Sequence, residues 1–107
     1  MTAIASVNSD LSVAVATGKH SLAIANGRDT IAVGAGDGVC AYAAHPHAIA
    51  VATGNLPKAK GVKGSTLVFK GEYYGQPVVK VITVDGSYIL ADTVYFLDGI
   101  TIKKYTV

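Results

Sequence analysis

The sequence predicts an all-β protein: a short parallel β-solenoid of nonapeptide repeats, wound as about three two-strand coils and capped by a C-terminal antiparallel β meander. Three observations carry the prediction. The segments SVAVATGKH, SLAIANGRD and TIAVGAGDG, residues 12–38, repeat one nine-residue pattern without a gap. Within each, large apolar side chains alternate with Ala or Gly at the period of a strand. Beyond residue 65 the pattern changes to runs rich in β-branched and aromatic residues, punctuated by Asp-Gly pairs.

Extended in both directions, the repeat divides residues 3–56 into six units of nine: AIASVNSDL, SVAVATGKH, SLAIANGRD, TIAVGAGDG, VCAYAAHPH and AIAVATGNL. The third place is always Ala, the second always apolar, and the seventh is Gly except at Ser9 and His45. Five residues of strand are followed by four of turn chemistry, Gly with polar or charged neighbours. Nine residues cannot close a circuit around a filled interior, so two units are assigned to each coil, at 3–20, 21–38 and 39–56. Three coils are about the minimum that stacks stably. This phase stacks Asp10, Arg28 and Pro46 on one edge and Lys19, Asp37 and Asn55 on the other, placing opposite charges next to each other.

The large side chains at places two and four are expected to meet between the sheets. Ala14, Ala16, Ala32, Gly34, Ala50 and Ala52 then form a flat outward face on one sheet, with Ala5, Ala23, Ala25, Ala41 and Ala43 on the other. A contiguous apolar face usually marks an interface, so the first six residues are the expected surface of a homo-oligomer, a dimer or trimer. The alternative reverses the faces, with Ala filling a very thin interior.

The repeat decays at PKAKGVKGS, read as a linker over 57–65, where Lys58, Lys60 and Lys63 form the only basic cluster and a candidate site for a bacterial host protein with an acidic surface. The cap is assigned to 66–107, with strands expected at TLVFK, QPVVKVITV, SYIL, VYFL and ITIKKYTV and tight hairpin turns at Asp85-Gly86 and Asp98-Gly99. A cap is required because an open solenoid end templates aggregation.

Composition narrows the function. The net charge of +2 shows no basic stripe, so nucleic acid is not expected as a direct ligand. No apolar stretch approaches the ~20 residues that span a bilayer, and no basic N-terminal segment precedes one, so the expectation is a cytoplasmic protein without membrane contact. The lone Cys40 excludes an internal disulfide and fits a reducing compartment. His20 falls on one edge and His45 and His47 on the other, so no metal is expected; His45 and His47 with Asp29 would make a thin site at best. The turns lack the double Gly and regular Asp of calcium-binding nonapeptide rolls. GAGDG at 34–38 lacks the helix, lysine and hydroxyl of a phosphate loop. The acids are scattered over turns and Cys40 has no His on its face, so no enzyme and no cofactor are expected.

The SVAVATG, SLAIANG and TIAVGAG units resemble the repeats of trimeric autotransporter adhesin heads, which form parallel β-rolls that associate as trimers through flat faces. The layout of Ala-rich repeats, then KAKGVKGSTLVF, then VVKVITVDGSYILADTVYFLDG, is also similar to small proteins encoded by bacteriophages and prophages of gut bacteria. That second resemblance implies a phage or mobile-element origin and action inside the host cell. The expected function is a non-enzymatic, self-associating structural or binding module; the alternative is a phage-encoded, anti-CRISPR-like inhibitor of a bacterial defence system, engaging its target through the turns and Lys58 to Lys63.

Overall fold

The computed structural model describes residues 4–105, which form a β-solenoid of about four turns with no helix among them. No helix long and apolar enough to cross a membrane occurs among the described residues. One sheet holds β1 (Ile4–Val7), β3 (Leu22–Ala25), β5 (Cys40–Ala43) and β7 (Lys58–Gly61), in that order. The other holds β2 (Val13–Thr17), β4 (Ile31–Ala35), β6 (Ile49–Thr53) and β8 (Thr66–Tyr73). All neighbours in these two series pair parallel, so the nine-residue repeat does wind two strands per coil. The register is set by sequence: Ala14 lies beside Ala32 and Ala32 beside Ala50, each eighteen residues on.

The segment expected to be a linker is a seventh rung. Lys58, Ala59 and Lys60 pair with Cys40, Ala41 and Tyr42, and Ala59 keeps the Ala column of the third place. The eighth rung arrives one residue early, Thr66 pairing with Ile49. The boundary between repeat and cap therefore falls inside β8, after its first five residues.

The faces are reversed relative to the leading expectation. Ala14, Ala16, Ala32, Ala50 and Ala52 are buried in the interior, as are Ala23, Ala25, Ala41, Ala43 and Ala59. Gly34 shares their column, paired with Ala16 and Ala52, and is buried too. These residues are the core and no interface is available on them. The physical cause is the short return turn. Turns of four or five residues hold the two sheets so close that Cβ methyl groups fill the space, and Val or Ile side chains gain more by packing outward along the ladder against the next rung. Where one interior position grows, its neighbour shrinks: a Cβ on Gly34 would lie 3.3 Å from Val39, and one on Gly61 would lie 3.2 Å from Leu67.

Corners close by hydroxyl chemistry at the first place of the unit. Ser21 Oγ donates to Thr17 O at 2.8 Å, Thr30 Oγ1 to Gly27 O at 2.6 Å and Ser65 Oγ to Val62 O at 2.7 Å. No buried side-chain nitrogen or oxygen among the described residues lacks a partner, which a polar corner facing an apolar interior requires. The charge columns act differently from expectation. Asp10 Oδ1 accepts from the Arg28 backbone N–H at 3.0 Å, while the Arg28 guanidinium lies 3.7 Å from Asp29. Lys19 and Asp37 form no ion pair among the described residues.

At the C-terminal end each sheet is continued by a hairpin. From β8 the chain turns at Tyr74-Gly75, both with positive φ, into β9 (Gln76–Thr83), which pairs antiparallel with β8. Positive φ at both central residues is the hairpin turn that matches strand twist. In the other sheet β10 (Tyr95–Asp98) pairs antiparallel with β7, and β11 (Thr101–Lys104) returns along it after Gly99-Ile100. Asp98-Gly99 thus forms the expected hairpin, whereas Asp85-Gly86 does not. The Asp85 carboxylate accepts the N–H groups of Ser87, Tyr88 and Ile89, which hold it below the usual carboxylate range and fold 85–89 into a local loop. SYIL is accordingly loop, not strand.

The interior of this end is filled by Leu67, Phe69, Tyr95 and Leu97 in place of alanines, with Val84 buried beside them. Phe69 is fully buried and the largest of these fully buried side chains. Phe69→Ala is expected to cost about 3–5 kcal/mol, read as a lowered urea midpoint. An unchanged midpoint would mean that the cap does not share the solenoid core.

Candidate functional site

With Ala inside, the side chains that alternate with it face solvent. On the sheet of β2, β4, β6, β8 and β9 the registers align three outward rows. The first runs Val13, Ile31, Ile49, Thr66, Thr83; the second Val15, Val33, Val51, Val68, Val81; the third Thr17, Ala35, Thr53, Lys70, Val79. Lys70, in an edge row on the fourth of the five strands, is the only charge in the fifteen positions. Val13, Val15, Val79 and Val81 are 54–62% exposed, and the residues between them are half-buried by their neighbours along the ladder. This five-valine row is a continuous apolar stripe on the solenoid wall. Sequence reasoning assigned Val15, Val33 and Val51 to the core and placed Val68 and Val81 in the cap.

The opposite sheet is chemically mixed. Its outward rows carry Ile4, Leu22, Cys40, Lys58, Phe96 and Lys103, and Ser6, Ile24, Tyr42 and Lys60. Of the three lysines expected to form one basic site, Lys58 and Lys60 share the outward face of β7. Lys58 Nζ lies 4.7 Å from the Tyr105 ring centre and Lys60 Nζ 4.6 Å from that of Tyr42, both cation–π distances. Lys63 is in the turn after β7, beside Gly86. Tyr42 Oη donates to Asp92 Oδ1 at 3.1 Å; burial, then this bond and the Asp92 charge, raise its phenol above the ordinary range. Cys40 is half-buried on the same face, and burial pushes its thiol up despite the opposing pull of Lys60 and Lys58. A raised thiol pKa makes it a poor nucleophile near neutrality.

The His45 and His47 rings are 5.7 Å apart and the His45 Nδ1 accepts the His47 backbone N–H at 3.0 Å, so that nitrogen serves the turn. His20 sits on the other edge, over Gly38. Among the described residues no three His, Cys, Asp or Glu side chains gather in a geometry for a metal ion.

A groove of about 490 Å³ opens where the third coil meets the cap. Its walls are the 54–57 turn, Lys70 to Glu72 and Leu97 to Gly99.

The fold and these surfaces define a class, a two-sheet β-solenoid with an alanine interior and hairpin-extended sheets. No family model, no curated protein and no solved structure matches the chain.

Proposed function

We propose that the protein is a non-enzymatic, self-associating β-solenoid module whose contact surface is the outward valine face of the β2–β9 sheet. The observation that carries this reading is the unbroken row Val15, Val33, Val51, Val68, Val81, flanked by Ile, Val and Thr and almost free of charge. Evenly spaced β-branched rows are self-complementary: two copies related by a two-fold axis can interdigitate them as stacked sheets do. A face with Lys70 as its single charge offers little to steer a different, charged partner. Five strands about 4.8 Å apart and five residues of about 3.3 Å give roughly 400 Å² of sheet per copy. Two such faces bury on the order of 800 Å², below the roughly 1,200 Å² of standard stable complexes. The expected assembly is therefore a reversible, concentration-dependent dimer. The lone cysteine, Cys40, fits action in a reducing compartment such as a cytoplasm.

Sedimentation velocity across a concentration series tests this. The native chain is expected to shift from monomer to dimer, and the pair Val15→Glu and Val81→Glu, placed at well-exposed positions, is expected to remain monomeric with an unchanged far-ultraviolet spectrum. A native chain that is monomeric throughout, or a folded double variant that still dimerises, overturns the proposal. The rival reading, an inhibitor of a host defence complex docking through the lysines, has less support because Lys58 and Lys60 are already held on tyrosine rings of the same chain.

A further inference from the structure

The groove between the third coil and the cap lies where one step of the solenoid is missing. In each return turn from the β2 sheet to the β1 sheet, two backbone N–H groups point toward the next coil. The first is bonded at every rung: Gly18 N–H to Ala35 O, Gly36 N–H to Thr53 O, and Gly54 N–H to Lys70 O, at 3.1–3.3 Å. The second is bonded twice, His20 N–H to Asp37 O at 2.9 Å and Gly38 N–H to Asn55 O at 3.0 Å. The third member of this series is Leu56 N–H, which has no acceptor among the described residues. The acceptor is missing because β8 does not turn. It runs straight on through Gly71 and Glu72 into its hairpin, and β10, where a turn would have delivered the chain, arrives from elsewhere. Leu97 N–H donates to Pro57 O at 3.3 Å and fixes the far wall. The vacated space is the 490 Å³ groove, within the range of ligand pockets.

We propose that this groove is a binding site for a short peptide turn of a partner protein, which occupies the position of the absent fourth return turn and presents a backbone carbonyl to Leu56 N–H. The chemistry of the walls favours a neutral peptide over an anion. Lys70 and Glu72 bring one charge of each sign with no ion pair to either among the described residues, and Asp98 is neutralised by Lys103 at 2.7 Å. A carboxylate ligand would therefore meet as much negative charge as positive. A peptide turn supplies what the two preceding turns receive, a carbonyl acceptor over the N–H of the ninth place. The site borders the valine face at Lys70 but does not depend on self-association.

The test is a titration of the ¹⁵N-labelled full chain with acetyl-Gly-Asn-Leu-amide, the sequence of residues 54–56, followed by amide chemical shifts. The expected result is a saturable downfield shift of the Leu56 amide, accompanied by shifts at Lys70, Gly71, Asp98 and Gly99, with His20 and Gly38 amides unmoved because they are already bonded. Hydrogen exchange at Leu56 is expected to slow at least severalfold on saturation. No saturable shift at Leu56 at millimolar peptide overturns the proposal. So does an equal response to sodium acetate at the same concentration, which would make the groove a simple anion site.

Discussion

Ala32→Glu is expected to unfold the protein rather than alter its association. Ala32 is fully buried, between Ala14 and Ala50 in the same column. A glutamate there places a carboxylate among the apolar side chains of the core. The effective penalty for burying an unpaired ion is several kcal/mol, and overpacking adds about 1–3 kcal/mol. A domain of this size has roughly 5–15 kcal/mol in total, so most of it is consumed. Far-ultraviolet circular dichroism and a urea series decide the matter: loss of the β spectrum, or a urea midpoint near zero, is predicted. Ala32→Leu separates volume from charge and is expected to destabilise by less. A folded Ala32→Glu chain of native midpoint that has merely become monomeric would mean that the alanines face outward after all.

The second large effect is expected from Gly36→Ala. Gly36 has φ +136°, outside the range that L residues tolerate, and a Cβ there would lie 2.7 Å from Gly18 O in the coil before it. Gly54 repeats the relation one coil later, with φ +119° and its Cβ directed at Gly36 O. The substitution combines backbone strain, on the order of 1–3 kcal/mol, with a contact that can be relieved only by separating two coils. A total of roughly 3–5 kcal/mol is expected. Gly75 supplies the comparison. Its φ is +77° and nothing lies within 4 Å of its Cβ position, so Gly75→Ala should cost only about 1–2 kcal/mol, the left-handed backbone penalty. Equal urea midpoints for the two variants would contradict a stack in which successive glycine turns touch.

The winding was legible in the sequence and the facing was not. A nine-residue period with Ala at every third place sets which residues become neighbours, and Ala14, Ala32 and Ala50 do stand in line. Alternation shows that Val13 and Val15 share a face without showing which face is inside. The usual preference for large residues in a core misleads here, because turns of four or five residues leave little more than methyl-sized room at the third and fifth places of the coils. That one inversion also hid the seventh rung. With places two and four taken as inward, Lys58 and Lys60 look incompatible with the repeat; with those places outward they are ordinary surface lysines, and Ala59 and Gly61 continue the interior. Tyr42, awkward inside a core of Val-sized residues, is equally ordinary outside, where it carries Lys60 and Asp92. Small corner residues at place one, Ser21 and Thr30 among them, were the available signal for a thin interior. The groove had no signature in the sequence, since it arises from a turn that the chain does not make.

Self-association and the peptide site both presuppose an interior of alanine. Methyl relaxation by a soluble paramagnetic agent, recorded on the dilute native chain, measures this most directly. The prediction is that the methyl groups of Ala23, Ala41, Ala50 and Ala59, all fully buried, are unaffected, while those of Leu11, Val13 and Val81, 80%, 58% and 62% exposed, relax strongly. Strong relaxation of the four alanines together with protected Val13 and Val81 would contradict it.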